Sequence, residues 1–316
     1  MSRSVLVTGA GGYIGGLLVR ALATDRGALE TIVATDLRLP DDPIDGVVYE
    51  AGDIRDDALA TTMHRHAVDT VVHLAAVVTA GKNSDRALEH SIDVDGTRNV
   101  LNSCLEAEVE KVIVSSSGAA YGYHADNSMP LREDDPLRGN VEFAYSDHKR
   151  QVEEMLAEWR RSHPELQQLI LRPGTVLGAT TRNQITALFE RRVIMGLRGA
   201  ATPFVFIWDE DLVGVLRRGI ETDLTGIYNV CGDGVMTMRH IARRLGKPYV
   251  AMPVPVVRGA LWLLHSLHLT QYGPEQVDFL RYRPVLANTR LKEQFGYTPQ
   301  KTTAEAFEAF MEGRDG

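Results

Sequence analysis

Apolar and polar positions through residue 171 fall into two kinds of stretch: short, wholly apolar runs, and longer segments with helical spacing between them. Runs of the first kind mark strands buried on both faces of a parallel sheet, and the periodic segments mark helices that cover it. Strands are predicted at 4–8, 31–35, 47–50, 70–74, 111–115 and 168–171, with helices in the gaps, notably 85–107 and 144–162. Strands alternating with helices give an α/β fold, a doubly wound parallel sheet whose loops at the carboxyl ends of the strands carry the chemistry. From about residue 174 the elements shorten, and a smaller C-terminal lobe is expected there.

The first strand, Val5-Leu6-Val7, breaks at Thr8 into Gly9, Gly12 and Gly15, and Tyr13-Ile14 opens an amphipathic helix. A strand, a glycine turn and a helix form a phosphate cradle: bare backbone admits a pyrophosphate, and the free N–H groups at the helix start stabilise its charge. The second strand ends at Asp36, 21 residues past Gly15. An acid at that distance accepts hydrogen bonds from a ribose and repels a 2′-phosphate, which favours NAD over NADP. Leu37 and Arg38 follow, and Arg38 is the residue that could grip a 2′-phosphate instead. Residues 1–173 are therefore read as a dinucleotide-binding domain, to which part of 205–232 returns, and 174–316 as mainly a substrate-binding lobe.

Three further loops bear on the site. After the third strand, Asp53-Ile54 offers an acid that either bonds an adenine amino group or caps the helix starting near Asp56. After the fourth, Leu74-Ala75-Ala76 is small enough for backbone to pass close to a cofactor, while His73 reads as a hydrogen-bonded core histidine. The fifth strand runs into Ser115-Ser116-Ser117-Gly118, and Tyr145 and Lys149 stand four apart on the long helix at 144–162. At that spacing both side chains leave one helical face. An ammonium about 4 Å from a phenol, at an effective dielectric of ~20, favours the phenolate by about 4 kcal/mol. That would bring a phenol from about 10 towards 7 as an upper limit, since burial opposes it. A phenol so tuned exchanges protons at neutral pH, and Ser117 would bond the reacting oxygen.

Composition removes other classes. Of 316 residues, 44% are hydrophobic and 24% charged, and the formal net charge of -8 argues against a nucleic-acid partner. Cys104 and Cys231 are far apart with no CxxC pair, which suits a reducing cytoplasm. No leader, membrane span or metal-ligand cluster is expected; His64 and His66 read as helix-surface residues.

These motifs resemble the extended short-chain dehydrogenase/reductase family, in its NAD-dependent epimerase/dehydratase branch. The resemblance rests on the glycine turn, Asp36, Asp53-Ile54, His73 to Ala76, Ser115 to Gly122, Tyr145-x-x-x-Lys149 and Leu171-Arg-Pro173. It also takes in 204–212, 226–230 and 295–299. It implies a Rossmann fold, Tyr145 as general acid/base, Lys149 also on the nicotinamide ribose, and Ser117 as the catalytic hydroxyl. Ser115 and Pro173 join the cofactor-binding set, Pro173 as backbone beside the nicotinamide. A homodimer pairing the helices around 85–107 and 144–162 is implied as well.

Departures from that pattern shape the substrate reading. Gly118 and Ala119 stand where dehydratases and decarboxylases of the family carry acids, so both reactions rank low. Asp93 replaces an asparagine, Thr175 stands near another asparagine's place, and Ile207 or Trp208 replaces a histidine, which puts a UDP-sugar in doubt. Arg182, Arg191, Arg192 and Arg198 read first as solvated, second as diphosphate ligands. The apolar stretch with Trp262, Leu263, Leu264 and Leu267 reads first as packed, second as the wall of a greasy pocket or a peripheral membrane contact. Arg281-Tyr-Arg-Pro284 looks like a loop near the site with no assigned duty. The expectation is an NAD-dependent dehydrogenase/reductase acting on a secondary alcohol or ketone of a small organic substrate. A UDP-hexose 4-epimerase is the alternative, and a non-catalytic dinucleotide sensor is the alternative of another class.

Overall fold

The structure is a computed structural model that describes residues 2–78, 85–267, 269–270 and 273–315. Its centre is a seven-stranded, wholly parallel sheet. The first half comprises β1 (Ser4–Thr8), α1 (Tyr13–Thr24), β2 (Thr31–Asp36), β3 (Val48–Ala51), α2 (Ala58–Arg65) and β4 (Thr70–His73). Next come α3 (Arg86–His90), α4 (Gly96–Glu106), β5 (Lys111–Ser115), α5 (Ala144–Ser162) and β6 (Gln167–Pro173). The second half adds β7 (Thr175–Leu177), α6 (Gln184–Glu190), β8 (Ile194–Leu197), β9 (Pro203–Phe204), β10 (Phe206–Trp208), α7 (Asp209–Glu221) and β11 (Gly226–Val230). It closes with β12 (Met236–Thr237), α8 (Met238–Arg244), β13 (Tyr249–Met252), α9 (Val254–Ser266), α10 (Gln276–Arg281), α11 (Thr289–Glu293) and α12 (Thr303–Asp315).

The sheet order is β11-β6-β5-β4-β1-β2-β3, so the chain reverses direction across the sheet between β1 and β4. That reversal opens a crevice at the strands' carboxyl ends, the place where such sheets bind ligands. β1, β4 and most of β5 are buried along their length, as continuous apolar runs require when both faces are covered. One core cluster packs α1 and α7 against one face, and another packs α2, α4 and α5 against the other. A third cluster, built around Phe189, Phe204, Phe206, Phe307 and Phe310, fills the C-terminal lobe.

The helix expected over 85–107 is interrupted. α3 and α4 are joined by a wider π-type turn at Ser91–Asp95, which turns the Asp93 carboxylate inward to accept from the Val77 amide at 2.7 Å. Gly96 follows because a Cβ there would lie 2.6 Å from the Ile54 side chain. α9 differs more: none of its residues is buried, and Trp262 is 61% exposed. The expectation of plain packing for this stretch therefore does not hold. No helix among the described residues is long and apolar enough to cross a membrane.

Candidate active site

The turn after β1 is tight for steric reasons. Gly9 has φ +68°, and a Cβ on it would lie 2.7 Å from the Ala75 amide nitrogen. A Cβ on Gly15 would lie 2.1 Å from the Gly9 carbonyl oxygen. Only glycine allows β1, the loop after β4 and the start of α1 to meet this closely. α1 begins with no side chain capping it, so its first N–H groups face the crevice unpaired by a cap. Asp36 stands at the rim, where its carboxylate accepts from the Gly11 amide (3.0 Å) and the Leu37 amide (2.7 Å).

One cavity of about 590 Å³ joins this turn to Ser117, Tyr145 and Lys149. Gly9, Gly12, Tyr13, Ile14 and Gly15 line one end, Ser115, Ser117, Tyr145 and Lys149 the other, with Leu74, Ala76 and Pro173 between. Of the remaining candidates, Asp36, Leu37, Arg38, Asp53, Ile54 and Ala75 do not line this cavity. Leu37 and Arg38 are exposed beside Asp36. Ala75 is fixed behind Gly9, and the Ile54 side chain is packed into the core. Asp53 is gripped by Arg55, whose Nε lies 2.9 Å from Oδ1 and whose backbone amide donates to the same oxygen. It does not cap α2, which starts at Ala58 with Asp57 in the cap position.

Tyr145 and Lys149 both belong to α5, but they do not pair as the spacing suggested. The Lys149 ammonium donates to the Ser115 carbonyl (2.9 Å) and sits over the Tyr145 ring, 5.7 Å from its centroid. Burial pushes the Tyr145 phenol up to about 12; its hydrogen bond with Ser117 works against the rise, while Tyr123 and Asp93 add to it. The expectation of a phenol drawn from about 10 towards 7 does not hold, because burial outweighs a lysine that faces the ring and a carbonyl. Burial likewise depresses Lys149, with Asp93 and Glu153 opposing. His73 is a fully paired core residue, its ring nitrogens bonded to Thr8 (2.8 Å) and Thr97 (3.0 Å) hydroxyls. Burial and Lys149 hold it down at about 3.

Behind Ser117 lies a buried ionic network. The Arg172 guanidinium grips Glu153 of α5 through Nε (2.8 and 3.0 Å) and Nη2 (2.6 Å). Ser116 donates to the same carboxylate at 2.6 Å. Burial alone would lower Arg172, yet the Glu153 carboxylate holds it above its usual range. Arg172, Glu153 and Ser116, from a strand, a helix and the end of a strand beside Ser117, are thereby locked together.

The structure also brings in residues without a sequence signal. Tyr123, Phe279 and Arg283 line the cavity. Arg283 is stacked on Phe204 (4.4 Å) and Phe279 (4.9 Å) and donates from Nη2 to the Thr175 hydroxyl (3.1 Å). Among the described residues its buried Nη1 has no hydrogen-bond partner, and burial lowers the group to about 10. Only the Arg281-Tyr-Arg-Pro284 stretch hinted at it. Arg182 reaches the cavity wall, whereas Arg191, Arg192 and Arg198 are exposed.

Residues 5–209 match the model of the NAD dependent epimerase/dehydratase family. The chain belongs to that family. It is 35% identical to a UDP-glucose 4-epimerase of Azospirillum brasilense, over 95% of this chain and 88% of that one. Its fold matches the UDP-glucose 4-epimerase of Thermotoga maritima solved with UDP-glucose, at a TM-score of 0.76 and 19% identity, over 99% of this chain and 98% of that one. The Bordetella bronchiseptica enzyme WbmG, solved with NAD and UDP, matches at a TM-score of 0.76 and 17% identity, over 99% and 95%.

Proposed function

We propose that the protein binds NAD and catalyses reversible hydride transfer at a secondary alcohol or ketone, with Ser117, Tyr145 and Lys149 as catalytic residues. The observation that carries this reading is the single cavity shared by the glycine turn and those three residues. The residues fit the cofactor: the cradle that a Cβ would fill suits a pyrophosphate, and Asp36 suits unphosphorylated ribose hydroxyls. Bound NAD supplies the acceptor and donor of the hydride. Tyr145, kept protonated at neutral pH by burial, donates its proton to a carbonyl oxygen and recovers it from an alcohol. Ser117 bonds the same oxygen, and Lys149 is the residue to hold the nicotinamide ribose.

Gly118 and Ala119 leave no carboxylate beside Ser117, which disfavours loss of water or carbon dioxide. Arg283, with its unpartnered nitrogen in the cavity wall, favours an anionic substrate. A second reading, nucleotide-sugar 4-epimerase, is supported by that arginine and by the Azospirillum relative. It uses the same three residues, with the ketone retained and the hydride returned to its other face. A non-catalytic sensor lacks support, since Tyr145 and Lys149 both face the cavity. The reading extends to a cytoplasmic homodimer pairing α3–α4 with α5. Tyr145→Phe is expected to lower turnover by about 10²–10⁴-fold, followed by NADH absorbance across UDP-hexoses and keto compounds, with NAD affinity unchanged. Undiminished turnover with intact NAD binding refutes the role of Tyr145.

A further inference from the structure

A second cavity, of about 1560 Å³, opens in the C-terminal lobe. It exceeds the roughly 300–1,000 Å³ of an ordinary small-molecule site, and it comes in addition to the cofactor cavity. Leu188, Leu197, Leu245, Val257, Leu261 and Leu280 line it, drawn from α6, β8, α9, α10 and the end of α8. Arg182, Asn183, Gln184 and Phe279 line both cavities, so the two meet at this wall.

Several polar side chains in the second cavity are already engaged. Asn183 accepts from the Ile185 and Thr186 amides, Lys247 donates to the Phe189 carbonyl, and Glu190 pairs with Arg314. Reading the edge of a nucleotide base requires acceptors as well as donors; Gln184 and Gln276 are the amides left for this, while Arg182, Arg191 and Arg192, which also line the cavity, supply donors alone. α9 turns Val257 and Leu261 to the cavity, while Trp262, Leu263 and Leu267 are exposed beside Arg258, which pairs with Asp278. At the junction sits Arg283, 4.9 Å from the ring of the shared Phe279, with Nη1 unpartnered.

We propose that the second cavity receives a hydrocarbon chain of the substrate, which is an anionic amphiphile. Its oxidisable head lies at Tyr145, its anionic group at Arg283, and its chain runs past Phe279 between α6, α9 and α10. This rests on the proposed function and narrows its substrate class. Burial of a chain in an apolar cavity strengthens binding in proportion to its length, by about 0.8 kcal/mol for each methylene.

The test uses hexyl, octyl and decyl phosphate, each below its micellar concentration, titrated calorimetrically into the NAD-loaded protein. The dissociation constant is expected to fall about fourfold per methylene. Leu261→Asp, on a helix with no buried residue, is expected to flatten that series while leaving the melting temperature and NAD affinity in place. Arg283→Met is expected to weaken all three phosphates alike without changing the slope. Affinity independent of chain length, or an unchanged slope in Leu261→Asp, overturns the proposal. UDP binding that Leu261→Asp weakens, with no alkyl phosphate bound, also overturns it by assigning the cavity to a nucleotide. Failure of the wild-type protein to bind NAD sinks the underlying function instead, so the two failures are separable.

Discussion

Arg172→Met isolates the buried network behind Ser117. In the folded protein Arg172 and Glu153 are 3% and 2% exposed, and three guanidinium-to-carboxylate contacts of 2.6 to 3.0 Å join them. Removing the guanidinium leaves the carboxylate buried with Ser116 as its remaining side-chain donor. It also strips a donor from the Tyr121 hydroxyl (2.7 Å) and from the Glu133 carbonyl (2.9 Å). Breaking such a pair costs about 3–5 kcal/mol, because the orphaned charge stays out of water. For a 316-residue chain, an unfolding entropy of about 0.66 kcal/mol/K turns a loss of 4 kcal/mol into a drop in Tm of about 6 °C. Replacing both partners, as Arg172→Met with Glu153→Leu, removes the unpaired charge and is expected to recover more than half of the loss. Differential scanning calorimetry and urea unfolding of the two single variants and the double variant measure this. A single variant within about 1 kcal/mol of wild type, or a double variant no more stable than Arg172→Met, refutes the reasoning.

Other perturbations follow from the same geometry. Gly15→Ala drives a methyl to within 2.1 Å of the Gly9 carbonyl oxygen, and is expected to weaken NAD at least tenfold, about 1.4 kcal/mol, in fluorescence titration; unchanged affinity argues against the cradle. His73 is held at about 3, against an ordinary value of 6.5. Its contribution to stability is therefore complete above about pH 6.5 and is lost as the pH falls towards 3, at up to ~1.4 kcal/mol per unit. His73→Gln should reduce that slope in denaturant melts between those limits, and an equal slope in both proteins contradicts the assignment. Asp36→Asn removes the charge facing a ribose phosphate and is expected to narrow the preference for NAD over NADP; an unchanged affinity ratio contradicts it.

The central sheet was legible because strands covered on both faces must be continuously apolar; β1 and β5 stand where the pattern places them, while β6 extends further, through Pro173. The glycine turn was legible because the demand for missing side chains is local. The π-type turn at Ser91–Asp95 was not, since the periodicity on either side continues through it. Pairing in the C-terminal lobe was hidden for another reason. Strands there are as short as Pro203–Phe204 and Met236–Thr237, and β8 finds its partner in β13, far along the chain. No local pattern encodes such a partner. The same distance hid Tyr123 and Phe279, which meet Arg283 only across the fold; the loop of Arg283 was legible as lying near the site, its duty was not. The phenol's acidity was misjudged because spacing gives the nearness of a lysine but not the depth of burial.

β11 pairs with β6 along Gly226–Val230, in register from Leu169 to Pro173, after the chain has left the sheet to build α6, β8, β9 and β10 and has returned to it through α7. The stretch between β6 and β11 is thus tied to the sheet at both ends, and no single cut within it can release it as a free-standing piece. A chain truncated anywhere between Pro173 and Gly226 would bare the β6 ladder, an invitation to strand-to-strand aggregation. Sequence changes confined to α6, β8 and β9 leave both that seam and the α7 face of the core whole, so this part of the chain can vary without unsettling the sheet.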